Sequence, residues 1–245
     1  MPGLVEGRLA LVTGGSSGIG RAACQVLARE GATVVVTCVD DYGAKATMET
    51  LPGASHSWMK FDVTDKTPVY ILDKIFIEYR KYPDILVNCA GIVRFTPPLE
   101  ETPETFQSII DVNLKGTFFT CQEFCKRLVR NKMAGSIVNV ASMTGHRGFE
   151  GMSAYAASKL GVEGVTRCLA RDMGRYNIRV NDVQPGMIDT AMCKDSPPHM
   201  VQDWIDHCAT KRKGRPEEVA EVIVFLASDR ASYVNGAHVP VNGGF

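Results

Sequence analysis

Along this chain, short and nearly unbroken apolar runs alternate with stretches whose apolar residues recur every three or four positions. The runs RLALVTG (8–14), TVVVTCV (33–39), SWMKFDV (57–63), DILVNCAG (84–91), GSIVNVAS (135–142), IRVNDVQPG (178–186) and GAHVPVNG (236–243) read as β-strands. The first, second, fourth and fifth are apolar almost throughout, as strands covered on both faces must be. Between them, IGRAACQVLAREG (19–31) has helical spacing and ends on a glycine suited to a C-cap. Residues 102–132 are long enough for one major helix. PEEVAEVIVFLAS (216–228) opens with proline in the first turn, followed by Glu217 and Glu218 where the helix dipole favours anions. Strand–helix alternation predicts an α/β fold, a doubly wound parallel sheet of about seven strands with helices on both faces. No repeat, low-complexity tract or linker divides the sequence, so residues 1–245 are expected to form one domain.

Two local patterns carry chemistry. Directly after the first strand comes TGGSSGIG (13–20), followed by a helix. Gly14, Gly18 and Gly20 would let backbone approach a pyrophosphate, and the helix N-terminus offers free N–H groups and a positive dipole end. A plain glycine-rich turn would look similar; the order strand, glycines, helix favours nucleotide binding. The second pattern is SAYAASK (153–159), which places Tyr155 and Lys159 four apart, on one helix face. A free tyrosine has a pKa near ~10, and a neighbouring ammonium favours the phenolate, each unit being worth roughly 1.4 kcal/mol. The small residues between them keep that face thin enough for a bulky cofactor to lie against it.

Taken together, the motifs resemble those of the short-chain dehydrogenase/reductase family, over essentially the whole chain. TGGSSGIG resembles the family's TGxxxGIG, FDVTD (61–65) its adenine-binding segment, NCAG (88–91) its NNAG, YAASK (155–159) its YxxxK, and QPGMIDT (184–190) its PGxxxT loop. The resemblance implies a single Rossmann-type domain, a nicotinamide dinucleotide cofactor, and a catalytic set of Asn113, Ser142, Tyr155 and Lys159. In that set Ser142 would hold the substrate oxygen while Tyr155 donates or takes its proton, and Asn113 would order a water in a relay to Lys159. Carried over in the same way, Gly14, Ser16, Ser17, Gly18, Ile19 and Gly20 would hold the phosphates, and Asp62 and Val63 the adenine. Asn88, Ala90 and Gly91, together with Pro185, Gly186, Ile188 and Thr190, would flank the nicotinamide end. Each catalytic residue also has a plain structural explanation: a helix cap for Ser142, a helix kink for Asn113, a surface pair for Tyr155 and Lys159.

Coenzyme choice turns on the end of the second strand, where an acidic group bonds the ribose 2′-hydroxyl and repels a 2′-phosphate. General spacing points to Asp40, and the family's alignment to Cys38, which is neutral; the two share a strand face. With no Arg or Lys at positions 16, 17, 38 or 39, the reading leans to NAD over NADP, although Asp40–Asp41 also fits an ordinary solvated turn.

Residues 187–215 hold two prolines and an amphipathic segment and read as a mobile substrate lid. Met143, Phe149, Met152, Met187, Met192 and Trp204 would form an apolar substrate pocket, or simply core, alongside Ser142 and Tyr155. Within the family the chain looks closest to 3-oxoacyl-carrier-protein reductases and type 8 17β-hydroxysteroid dehydrogenases. Expected substrates are therefore a 3-oxoacyl thioester or a hydroxysteroid, with small dicarbonyls or sugars as the alternative. An acidic acyl carrier protein would need cations near the cleft, and Arg130, Lys132, Arg175 and the KRKGR run (211–215) are the candidates. A non-catalytic coenzyme sensor is the competing class, opposed by the complete catalytic set. Enoyl reductases of the family space their Tyr and Lys wider than the three-residue gap here, and epimerase relatives carry more C-terminal sequence. Family analogy implies a homotetramer.

Composition narrows partners further. Lys plus Arg and Asp plus Glu are 27 each, so no net field draws the chain to nucleic acid or an anionic membrane. Eight scattered cysteines form no C-x-x-C pair and read as small buried hydrophobes in a reducing compartment. Cys193, His199, His207 and Cys208 match no common metal spacing, so no metal is expected. The N-terminus shows neither signal nor transit pattern, and no run is long enough to span a bilayer. A cytoplasmic enzyme is expected, or a mitochondrial matrix one if the chain is a processed form.

Overall fold

The computed structural model describes residues 2–65, 69–194 and 196–245. The first half runs β1 (Leu9–Thr13), α1 (Gly18–Arg29), β2 (Thr33–Cys38), α2 (Asp41–Met48), β3 (Ser57–Lys60), α3 (Val69–Tyr79), β4 (Ile85–Asn88), α4 (Pro103–Ile110) and α5 (Thr117–Arg130). The second half runs β5 (Gly135–Val140), α6 (Thr144–Arg147), α7 (Ser153–Met173), β6 (Ile178–Pro185), α8 (Pro198–His207), α9 (Pro216–Ala227) and β7 (His238–Val241). All seven expected strands form one sheet in the order β3-β2-β1-β4-β5-β6-β7. Every pairing is parallel. Strand order reverses between β1 and β4, and a crevice opens there at the carboxyl ends of the strands.

Alternation along the strands divides the core into two layers. In β1, Ala10 and Val12 face α1 and α9, against Ala23, Leu27, Ile223 and Val224. Leu9 and Leu11 face the other side, against Ile71 and Ile75 of α3 and Phe124 and Leu128 of α5. All of these side chains are buried, which is why the central strands read as continuous apolar runs rather than alternating ones.

Two segments differ from the sequence reading. Residues 102–132 do not form one regular helix: α4 and α5 are joined by a π-helical stretch, Asp111–Gly116. The cause is Asn113, fully buried, whose Oδ1 accepts from Ile92 N at 2.8 Å and whose Nδ2 donates to Ile92 O at 2.9 Å. Reaching that loop takes an extra residue in the helical turn. The second difference is at Asp40–Asp41, where a helix begins instead of a solvated turn; Asp40 is the N-cap of α2 and accepts from Tyr42 N at 3.1 Å.

Candidate active site

A cavity of about 400 Å³ occupies the crevice. One end is the turn between β1 and α1. Gly14 and Gly18 there have φ of +66° and +51°, where a side chain would be strained. A Cβ on Gly14 would sit 2.7 Å from Ala90 N, and one on Gly20 would sit 2.1 Å from Gly14 O, so the turn is packed to a tightness that only glycine allows. Ser17 is the extended N-cap of α1 and makes no side-chain cap bond, leaving the helix N-terminal N–H groups without a side-chain partner from it. This cradle of bare backbone at a helix N-terminus fits a dinucleotide pyrophosphate. Ser16, Ser17, Ile19, Cys38, Asp62 and Val63 line the same end, and Asp62 is held in place by accepting from Thr64 N and Oγ1 at 2.9 and 2.7 Å.

The other end brings Ser142, Tyr155 and Lys159 together on the cavity wall. Ser142 follows the end of β5; its Oγ donates to Thr144 Oγ1 at 2.9 Å and accepts from Thr144 N at 3.1 Å, which fixes the hydroxyl. Tyr155 and Lys159 share the first turns of α7, as their spacing predicts. Lys159 Nζ donates to Val140 O at 2.8 Å and lies 5.7 Å from the centre of the Tyr155 ring. Burial pushes the Lys159 pKa down to about 8. Burial likewise pushes the Tyr155 phenol up to about 12, with a bond to Ser142 pulling the other way and the Cys193 thiol adding to the rise. The sequence reading expects the ammonium to make the phenol more acidic; here desolvation dominates, and Tyr155 is a protonated phenol at neutral pH.

Four expected site residues do not line the cavity. Asn113 lies behind it, tethering Ile92 and donating to Ser158 Oγ at 3.1 Å. It stays near the site: a Cβ on Gly91 would be 3.3 Å from Asn113 Oδ1 and 3.4 Å from Lys159 Nζ, so Gly91 keeps a gap open between them. Asn88 turns beneath the sheet, donating to Asn139 Oδ1 at 2.8 Å. Asp40 is exposed and caps α2. Met143 is buried against Trp204 and Cys208, its Sδ accepting from Asn242 Nδ2. The remainder of the expected set does line the cavity: Ala90, Gly91, Pro185, Gly186, Ile188 and Thr190 for the cofactor, with Phe149, Met152, Met187, Met192 and Trp204 for the substrate.

The segment 187–215, of which Asp195 lies outside the described residues, supplies α8 and one wall of the cavity. Trp204 stacks on Phe245 at 3.9 Å with an interplanar angle of 5°, and on Phe149 at 4.9 Å. Thr144, Phe95, Cys193 and Met200 escaped the sequence reading. Only Thr144 left a signal, a hydroxyl two residues after Ser142; the rest are apolar or weakly polar side chains, Met200 on α8, Cys193 at the end of a short 3₁₀ turn and Phe95 on the segment after β4. Among the described residues no cluster of His, Cys, Asp and Glu is arranged to hold a metal, and no helix is long and apolar enough to cross a membrane.

A protein-family profile described as enoyl-(acyl carrier protein) reductase matches residues 14–245. The human (3R)-3-hydroxyacyl-CoA dehydrogenase is 39% identical over 246 residues, covering 96% of this chain and 94% of that protein. The 3-oxoacyl-[acyl-carrier-protein] reductase FabG of Thermotoga maritima is 38% identical, covering 98% of each chain. A crystal structure from Agrobacterium tumefaciens, provisionally described as a 2-deoxy-D-gluconate 3-dehydrogenase and with bound NADP, superimposes with a TM-score of 0.91 at 34% identity, covering 99% of this chain and 98% of that one. Likeness of this extent, in sequence and backbone alike, makes the chain an oxidoreductase of the short-chain dehydrogenase/reductase family, whose members interconvert carbonyls and alcohols with NAD(P).

Proposed function

We propose that this protein reduces a 3-oxoacyl thioester to the 3-hydroxyacyl thioester, and that the reverse oxidation runs at the same site. The observation that carries the reading is the meeting of the fixed Ser142 hydroxyl and a protonated Tyr155 in one cavity. A nicotinamide dinucleotide, when bound, supplies or accepts the hydride at the carbonyl carbon. Ser142 orients the carbonyl oxygen, and Tyr155 gives its phenolic proton to that oxygen as the C–H bond forms. Reduction needs Tyr155 as the protonated phenol, and the reverse oxidation needs the same group as phenolate. Lys159 adds a positive charge beside the site, and Asn113 holds the loop at Ile92.

The substrate class rests on the named relatives and on the apolar wall of Phe149, Met187 and Trp204, which suits an acyl chain. The stacked Phe149–Trp204 pair also favours a second reading, a flat hydroxysteroid. The three-residue gap between Tyr155 and Lys159 speaks against enoyl reduction. NAD is the proposed coenzyme: no Arg or Lys lines the cavity end formed by Ser16, Ser17, Cys38 and Val39, and the Asp40 carboxylate lies beyond it. Arg130, Lys132 and Arg175 are exposed and make no ion pair among the described residues, so they are free to meet an acidic carrier. The KRKGR run is less available, since Arg212 pairs with Glu218 at 2.7 Å and Lys213 faces Asp189 at 3.9 Å. We further propose a single domain with a moving lid at 187–215, a homotetramer, and a cytoplasmic location. Turnover of acetoacetyl-CoA, a hydroxysteroid and a small diketone with NADH and with NADPH tests the reading. Thioester reduction at the highest kcat/KM is expected, and no thioester turnover overturns it.

A further inference from the structure

One turn beyond Lys159 on α7 lies a carboxyl group that the proposed mechanism does not use. Glu163 is buried, and both its oxygens lie 2.9 Å from Nε2 of a single imidazole, that of His146 on α6. Among the described residues this ring is its hydrogen-bond partner. A carboxyl group taken out of water is costly unless it is hydrogen-bonded, so the ring and the carboxyl group hold each other. The side-chain amide of Gln184, on β6, lies 3.0 Å from the same ring nitrogen and backs it against the sheet.

His146 is the third residue of α6, a single turn of four residues. One turn has little helical stability of its own, so its place is set by what it docks on. At Gly145 the turn lies flush on α7, where a Cβ would sit 2.5 Å from Leu160 Cγ. Arg147 lies over the Phe245 ring at 4.4 Å. The bond between His146 and Glu163 adds a polar tie to the buried face of α7. Thr144 begins the same turn, and its N and Oγ1 hold the Ser142 hydroxyl at 3.1 and 2.9 Å. The turn is closed by His146 N, which donates to Met143 O at 3.0 Å. Bonded contacts therefore lead without a gap from Glu163 to Ser142.

We propose that Glu163 and His146 are positioning residues for the reaction: the carboxyl group holds the imidazole, the imidazole holds α6, and α6 holds the Ser142 hydroxyl where the substrate oxygen meets it. Neither residue lines the cavity. The inference rests on the proposed function through Ser142, the group that orients the carbonyl. Misplacing such a group by ~1 Å can cost up to about 10²-fold in rate.

Glu163→Leu removes the acceptor and fills its space with apolar volume, whereas Glu163→Gln keeps an oxygen for the ring. Glu163→Leu should lose about tenfold in kcat, with Glu163→Gln within about threefold of wild type. Coenzyme binding by both, followed by fluorescence quenching, should stay within about threefold of wild type. Where the Leu variant does not fold, His146→Ala cuts the same bond from the exposed side of α6. Rates are taken with acetoacetyl-CoA, or with the hydroxysteroid or diketone where that is the better substrate, so that an error in substrate class leaves the test intact. A double-mutant cycle with Ser142→Ala gives the decisive reading. Adding Glu163→Leu to Ser142→Ala should slow the enzyme no further. Losses that multiply, or a Leu variant at the wild-type rate, overturn the proposal. Wild-type turnover by Ser142→Ala alone is a different failure, which removes Ser142 from the chemistry and takes the inference down with the proposed function.

Discussion

Lys159 Nζ lies 5.7 Å from the centre of the Tyr155 ring, yet its hydrogen bond goes to the carbonyl oxygen of Val140. The lysine is therefore a neighbouring charge, anchored to the sheet, and not a direct partner of the phenol. With its pKa lowered to about 8, it changes charge within the working range of an assay. Reduction should proceed on a plateau below pH ~8 and decline above it as the ammonium is lost, with Tyr155 still protonated throughout that window. A kcat/KM profile from pH 6 to 10 checks this; a rate that climbs through the same interval contradicts it.

Tyr155 carries the proton in this scheme, and phenylalanine keeps its ring while removing only the hydroxyl. Tyr155→Phe should lower kcat by about 10²–10⁴-fold while dinucleotide binding, followed by fluorescence quenching, stays within about threefold. Wild-type turnover by that variant would remove the phenol from the chemistry.

Burying Lys159 has a cost for folding. Its folded pKa of about 8 lies below the ordinary 10.5, so between those values the unfolded chain binds more protons. The burden is complete below pH 8 and fades as pH rises toward 10.5. Lys159→Met should therefore be the more stable protein at pH 7, by about 1–3 kcal/mol, with the gain shrinking by pH 10, while turnover and coenzyme binding both weaken. Melting curves at the two pH values decide it; a variant less stable at pH 7 goes against the argument.

Asp40 has two possible duties, capping α2 and excluding a 2′-phosphate. Only the cap is visible in its bond to Tyr42 N. If the second duty is real, Asp40→Asn, which retains a capping oxygen, should raise the NADPH to NADH ratio of kcat/KM by about tenfold. An unchanged ratio assigns Asp40 to the helix alone.

Arg130 ends α5, and Lys132 follows it in a left-handed turn with φ of 53°. Both side chains are exposed. The double variant Arg130→Glu, Lys132→Glu should slow reduction of a carrier-protein thioester by about tenfold or more and leave the CoA thioester nearly unaffected. Equal loss on both substrates points to a disturbed fold, and no loss on either dismisses this face as a docking site.

Much of the architecture was legible because buried parallel strands leave a blunt signature; β1, β2, β4 and β5 announce themselves as apolar runs. The meeting of Tyr155 and Lys159 followed from helical spacing alone. Helix α2 was not legible, since DDYG reads as a turn until Asp40 is seen closing its own N-terminus. Helix α3 is apolar around most of its circumference and offers no clear period. The break at Asp111–Gly116 was legible only as a helix kink at Asn113; the partner that causes it, Ile92, lies 21 residues away and left no signature. Least legible was the electrostatic state of the site: spacing says that an amine and a phenol are near, and only burial says which of them yields.

The π-helical stretch packs on α7 and links it to the helices on either side. One surplus residue turns α5 by roughly 100° relative to α4; α4 leans on α7, and α5 lies over β4 and β5 between α3 and α7. At the knot between them Asn113 grips the loop that follows β4. The same amide donates to Ser158, the residue before Lys159, so the irregular turn, the loop after β4 and the helix that carries the proton donor meet at one side chain.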